Sequence, residues 1–142
     1  MGRIVAFTGR LLFAFIFFSS GLQKLSHFDI VTGGPEMEYM EPRMDAFLNT
    51  VAKSTGIRIP LPKFAYPYLL LIAVLLELAG GTLFVLNRRM GAHLLLLFMV
   101  AVTPIMHAFW DLPENTPEQL HDMIHFFKNI SMTGALLFYL GQ

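Results

Sequence analysis

Glu77 stands inside a run, Leu69–Leu86 (LLLIAVLLELAGGTLFVL), that is otherwise almost wholly apolar and close to the length needed to cross a bilayer. A carboxylate at such depth opposes insertion by about 2.5 to 3.5 kcal/mol, so it turns to a protein interior and finds a partner there. At about 1.5 Å per residue, Glu77 lies roughly 14 Å in from Leu86, and Arg10 roughly 9 Å in from Ile4 on the preceding apolar helix. Arg10 is therefore the expected partner, because a guanidinium can hold a carboxylate bidentately in a dry site. Asn129, Ser131 and Thr133 supply further donors to this intramembrane network. A protonated, neutral Glu77 is the other solution. The pair reads either as a device fixing helix register or as a proton-accepting or ligand-binding carboxylate.

A second polar group gathers elsewhere: Gln23 and Lys24, His107 and Asp111, then His121, His125, Lys128 and Asn129. His121, His125 and Lys128 fall at i, i+4 and i+7 and share one helical face. Three chemistries suit them. They are interfacial residues with a snorkelling lysine; or Lys24, His107, Trp110, Lys128 and Asn129 line a pocket for the headgroup of a quinone or a bound lipid; or His107, His121 and His125, with Asp111, approach a metal site. The metal reading is the weakest, since the His121-x-x-x-His125 pair lacks a close third ligand in sequence, and no metal is assigned. No catalytic residue is assigned either. The chain has no cysteine, hence no thiol nucleophile, thiolate site or redox CxxC pair, and it carries no phosphate-binding loop or nucleophile elbow.

These residues must be positioned by greasy elements. Of 142 residues 55% are hydrophobic and 14% charged, against roughly 25% charged in an ordinary globular domain. The formal net charge is +0, so nucleic acid is not an expected partner. Four spans are expected within a single domain, residues 1–142: about 4–25, 66–86, 90–109 and 120–140, with an extramembrane loop at 26–65. The first has the outline of a signal peptide, with Arg3 ahead and Ser19-Ser20-Gly21 behind, but is read as a retained span. The fourth looks short in its apolar part; Thr116-Pro117-Glu118-Gln119 has the form of a capping box with proline at the first helical position, and starts that helix earlier. A water-soluble bundle would need a polar stripe along each helix, which spans two and three lack.

With four spans, both termini and the Arg88-Arg89 turn share one side, which carries Arg3, Arg88 and Arg89 and no acid. Nine acids, from Asp29 to Asp122, lie toward the other side. Basic short loops stay cytoplasmic, so both termini are expected in the cytosol, or in the matrix or stroma of an organelle. In the long loop, Pro42 opens an expected helix and Gly56 closes it; Met44, Phe47, Leu48 and Val51 make one apolar stripe. That amphipathic helix lies in the interface or caps the bundle, or serves as a lid over an outward-facing pocket. Pro104 should kink or widen span three just before His107. The small pair Gly80-Gly81 lets helices approach closely, and the fourteen Phe and nine Met are read as packing and lipid-facing residues.

The segments GRLLFAFIFFSSGLQKL, ELAGGTLFVL, HAFW and HFFKNISMTGALLFYLG, in this order, resemble the DoxX-like family of four-helix membrane proteins. The insert GGPEMEYMEPRMDAF is similar to the plant and algal branch of HR-like lesion-inducing proteins. The resemblance covers nearly the whole chain. It implies an all-α integral membrane four-helix bundle, with the family's motif positions falling at Arg10, Gly21, Lys24, Glu77, Gly80, Gly81, His107, Lys128, Asn129 and Gly134. Gly21 and Gly134 thereby join Gly80 and Gly81 as helix-packing positions. Bacterial relatives are associated with quinone-linked sulfur oxidation or act as membrane anchors for redox-detoxifying partners; plant relatives are linked to cell-death phenotypes.

The sequence is thus read as an all-α, four-span bundle with an amphipathic helix between spans one and two. Its expected role is that of a polytopic accessory or scaffold protein, a subunit of a larger redox-related membrane assembly, in contact with lipid and other membrane proteins. Whether it is an enzyme is left open; if it is one, it is a quinone-linked oxidoreductase subunit. The alternative is a quinone-interacting subunit of a membrane oxidoreductase, with an outward-facing headgroup pocket and Glu77–Arg10 as a proton-linked pair. A lipid or small-molecule carrier is the third reading.

Overall fold

The computed structural model describes all residues, 1–142. It is all-α: α1 (Gly2–Ser26), α2 (Met37–Thr55), α3 (Tyr66–Val85), α4 (Arg89–Met106) and α5 (Pro117–Gly141), with short 3₁₀ turns at Lys63–Ala65 and Phe109–Asp111 and no strand. Three segments are long and apolar enough to cross a membrane: Gly2–Ser26, Lys63–Val85 and Arg89–Asp111. The fourth expected span corresponds to α5, which is 25 residues long. Its first half carries Glu118, His121, Asp122, His125 and Lys128, which set it apart in composition from the other three.

α1 packs on α3, α3 on α4, and α4 on α5, while α1 and α5 make marginal direct contact at most. The closest approach is between α3 and α4. A Cβ on Gly91 would sit 2.2 Å from the Phe84 backbone nitrogen and 2.7 Å from the Gly80 carbonyl oxygen, so only glycine fits there. The turn between these helices, with Asn87 at a positive φ of 60°, is tied to α5 because the Tyr139 hydroxyl donates to the Asn87 side-chain oxygen at 3.0 Å. Toward the end that bears both termini, Ala14, Phe17, Phe84, Ala92, Leu95, Phe98, Met99 and Leu136 form one core cluster from α1, α3, α4 and α5.

At the other end α2 lies over the bundle. Met37, Met40 and Met44 are buried against Tyr66, Leu70 and Val74 of α3. The helix starts at Met37, five residues before the Pro42 expected to open it. The apolar stripe explains the difference: Met37, Met40 and Met44 fall at i, i+3 and i+7 and carry the buried face through the proline, whose missing N–H forfeits one backbone bond. The expected close is observed, with Gly56 in the left-handed region at φ 73° and its N–H donating to Ala52. Ahead of α2, Asp29 accepts N–H bonds from Val31 and Thr32, both at 2.8 Å. The backbone amides of Thr32 and Val31 hold that carboxyl below its ordinary value. Polar ties fix α2 from the side: Lys63 reaches Glu41 at 2.6 Å and Asp45 at 3.4 Å, and the Tyr66 hydroxyl donates to Asp45 at 2.6 Å.

α5 begins as its sequence predicts. The Thr116 hydroxyl accepts from the Gln119 N–H at 3.2 Å, and the Gln119 side-chain oxygen accepts from the Asn115 N–H at 3.0 Å. Its buried residues, Asp122, Asn129 and Leu136, recur every seventh position and form the seam against α4.

Candidate functional site

Glu77 is buried to 2% exposure, and its partner is Lys24 of α1, not Arg10. The Lys24 ammonium donates to both carboxylate oxygens, at 3.3 and 3.1 Å. The reason is helix register. Gly21 faces Glu77 and Leu78, so that a Cβ there would lie 3.5 Å from the Glu77 Cβ. Lys24, one turn beyond Gly21, can therefore bend onto the carboxylate. Arg10 is eleven residues back along α1, roughly 16 Å away, and donates instead to the Val85 carbonyl at 3.3 Å. Depth counted from helix ends misses this, because α1 and α3 do not start level.

A second cluster joins α2, α4 and α5 around Asp122, a buried carboxylate. Arg43 of α2 approaches it at 3.6 Å, His107 at 3.4 Å and His121 at 3.6 Å. Arg43 also donates to the Met106 carbonyl at 3.0 Å, at the end of α4, which runs unbroken through Pro104. His125 stacks on His107 with ring centroids 5.1 Å apart. His121 and His125 meet at 3.1 Å, and Lys128 reaches the His125 Nδ1 at 3.1 Å. Since the His121 Nδ1 faces Asp122, its proton belongs on that nitrogen; the His125 Nε2–H then donates to His121, and the His125 Nδ1 accepts from Lys128. Asn129 donates to the Thr103 hydroxyl at 3.2 Å. No buried side-chain nitrogen or oxygen is left without a hydrogen-bond partner.

Between the two clusters lies a cavity of about 630 Å³, and 20 of its 29 lining residues are hydrophobic. It occupies the loop-bearing half of the bundle, between α1 and α5, with α3 and α4 as its back wall and Met40, Met44, Phe47 and Leu48 of α2 over it. Lys24, Glu77, His107, His121, His125, Lys128 and Asn129 supply most of its polar surface.

The residues singled out from sequence thus divide. Lys24, His107, Lys128 and Asn129 come together on one cavity, and Glu77 joins them. Trp110 does not: it packs edge-on against Phe109 and Phe126 outside the cavity. Ser131 is exposed and donates to the Phe127 carbonyl one turn back, and Thr133 likewise to Asn129, so neither reaches Glu77. Gly21, Gly80 and Gly81 each face a neighbouring helix, with a Cβ meeting Leu78, Leu95 and Phe18 respectively, whereas a Cβ on Gly134 would meet nothing within 4 Å. His107, His121 and His125 stack and hydrogen bond with one another and do not converge on a point; no three such ligands are placed to hold a metal ion.

Three residues of the site were not singled out: Asp122, Arg43 and Glu36. The signal for Asp122 was present, since Asp122, His125 and Asn129 fall at i, i+3 and i+7 on one helical face. Arg43 and Glu36 carry no such signal, because the path of the long loop brings them in.

The HR-like lesion-inducing family matches residues 1–142. Among curated proteins, the inner membrane protein YphA of Escherichia coli strain K12 is 32% identical over 98 residues, 68% of this chain and 66% of YphA. The chain therefore spans just under two thirds of that relative's length. No solved structure matches it. With three membrane-length apolar helices and a family match that runs end to end, the chain is an integral, multi-pass membrane protein and belongs to the HR-like lesion-inducing family.

Proposed function

We propose that this protein crosses its membrane four times and binds one amphiphile, a quinone or a lipid, in the loop-side cavity, acting as an accessory subunit that presents this molecule to a redox partner. In this reading α5 is the fourth span; both termini and the Arg88-Arg89 turn lie in the cytosol, matrix or stroma, and the cavity opens toward the opposite side. Support for the orientation is the basic, acid-free character of the terminal end. Support for α5 as a span is its length, with two polar residues of its first half, Asp122 and Asn129, buried in the bundle.

The observation that carries the proposal is the cavity. At about 630 Å³ it falls in the range of pockets that enclose a small organic ligand. Its walls are apolar, as a tail requires; at one end Lys128 and Asn129 offer donors to headgroup oxygens, and the His107 Nε2, its proton lying on Nδ1 toward Asp122, can accept from a headgroup hydroxyl. For the accessory part, the chain carries no thiol, phosphate-binding loop or nucleophile elbow of its own.

The test is purification in mild detergent, followed by identification of bound quinones, lipids and proteins. A retained amphiphile that is lost in His107→Ala is the expected result. Stoichiometric protein partners with no amphiphile would leave a scaffold alone.

A further inference from the structure

The charged groups around the cavity are equal in number but unevenly paired. Lys24 is paired with Glu77 at 3.1 Å. Glu36, the other acid on the cavity wall, shares with Lys24 a small recess of about 140 Å³ at the rim. Asp122 is matched by Arg43 at 3.6 Å and flanked by His107 and His121. Glu36 and Lys128 alone form no ion pair; Glu36 sits at the rim, whereas Lys128 has one hydrogen-bond partner, the His125 Nδ1 at 3.1 Å. An ammonium has three donors, so two remain for a ligand. A charge in such apolar surroundings is costly unless something of opposite sign meets it, and nothing in the chain does.

From this we infer that the cavity's ligand carries an anionic oxygen group, a carboxylate or a phosphate, on a long apolar tail, and that Lys128 binds the anion. The inference rests on the amphiphile reading above and, of its two ligand classes, selects the lipid. Charge-assisted hydrogen bonds from Lys128 hold the headgroup, while Asn129 and His125 flank it on α5. The tail lies along Ile16, Leu76, Phe98, Val102 and Met132. Because α1 and α5 bound the cavity on one side without packing closely on each other, that seam is the route by which a tail enters from the surrounding lipid. A neutral headgroup would leave the Lys128 charge unanswered.

The experiment measures equilibrium binding of oleate, its uncharged methyl ester, oleoyl lysophosphatidate and a short-chain quinone to the detergent-purified full chain. Oleate should bind one to one and the ester about tenfold more weakly, the worth of one charge-assisted hydrogen bond. Lys128→Met should abolish that difference and Lys128→Arg should keep it. Tighter binding of lysophosphatidate than of oleate supports the inference with phosphate as the group. Equal binding of acid and ester by the unmodified protein overturns it without recourse to any variant. Binding of the quinone with no binding of either anion overturns it as well, yet leaves the cavity reading standing. Failure of all four probes to bind overturns both.

Discussion

At the scale of single residues, the Lys24–Glu77 pair is the feature on which the interior depends. Removing one partner of a buried ion pair leaves the other uncompensated and costs about 3 to 5 kcal/mol. Lys24→Met should therefore lower the melting temperature in detergent sharply, and Lys24→Met combined with Glu77→Leu should recover much of the loss. Arg10→Met, which gives up one 3.3 Å bond to a carbonyl, should cost only about 1 kcal/mol. The reverse order would restore Arg10 as the partner. That a charged Glu77 needs a cation was legible in the sequence, because a bare carboxylate at that depth is costly and only pairing or protonation relieves it. Which cation was not legible: depth counted along each helix is blind to the relative slide of α1 and α3, and Gly21 against Leu78 decides it. Trp110 and Ser131 were misplaced for a related reason, since nearness in sequence to a polar cluster does not fix which face a side chain takes.

At the scale of elements, small residues set how closely helices pass. Gly91, on α4, is the tightest position, with backbone of α3 within 2.2 Å of where a Cβ would go. Gly91→Ala should force α3 and α4 apart and cost roughly 1 to 3 kcal/mol. Gly134→Ala, on an open face of α5, should be neutral or stabilising by up to about 1 kcal/mol, as helix propensity alone dictates. Thermal unfolding of the two variants side by side checks the pair; a destabilised Gly134→Ala would mean that α5 packs against something further. The helices themselves were legible because apolar length and a capping box are local signals. The start of α2 was not, because Pro42 is a strong local start signal, and tertiary burial of Met37 and Met40 extends the helix ahead of it. Asp122 escaped notice because its value comes from Arg43, 79 positions away in the chain.

At the scale of the whole molecule, the two ends are built differently. The terminal end is closed by a packed cluster from four helices, and the loop-bearing end encloses the cavity under α2. Since the chain has no cysteine, single cysteines report sidedness cleanly. In sealed vesicles an impermeant maleimide should label Gly2→Cys and Asn87→Cys from one side and Ser54→Cys from the other. Labelling of Gln142→Cys on the Ser54 side would mean that α5 does not cross.

The most direct measurement is native mass spectrometry of the full chain released from mild detergent, comparing the unmodified protein with Ala73→Phe, which places a ring in the cavity wall. One amphiphile should remain bound to each unmodified chain and be absent from the folded variant. A chain that emerges bare, or an adduct that survives unchanged in Ala73→Phe, would contradict the cavity as a binding site.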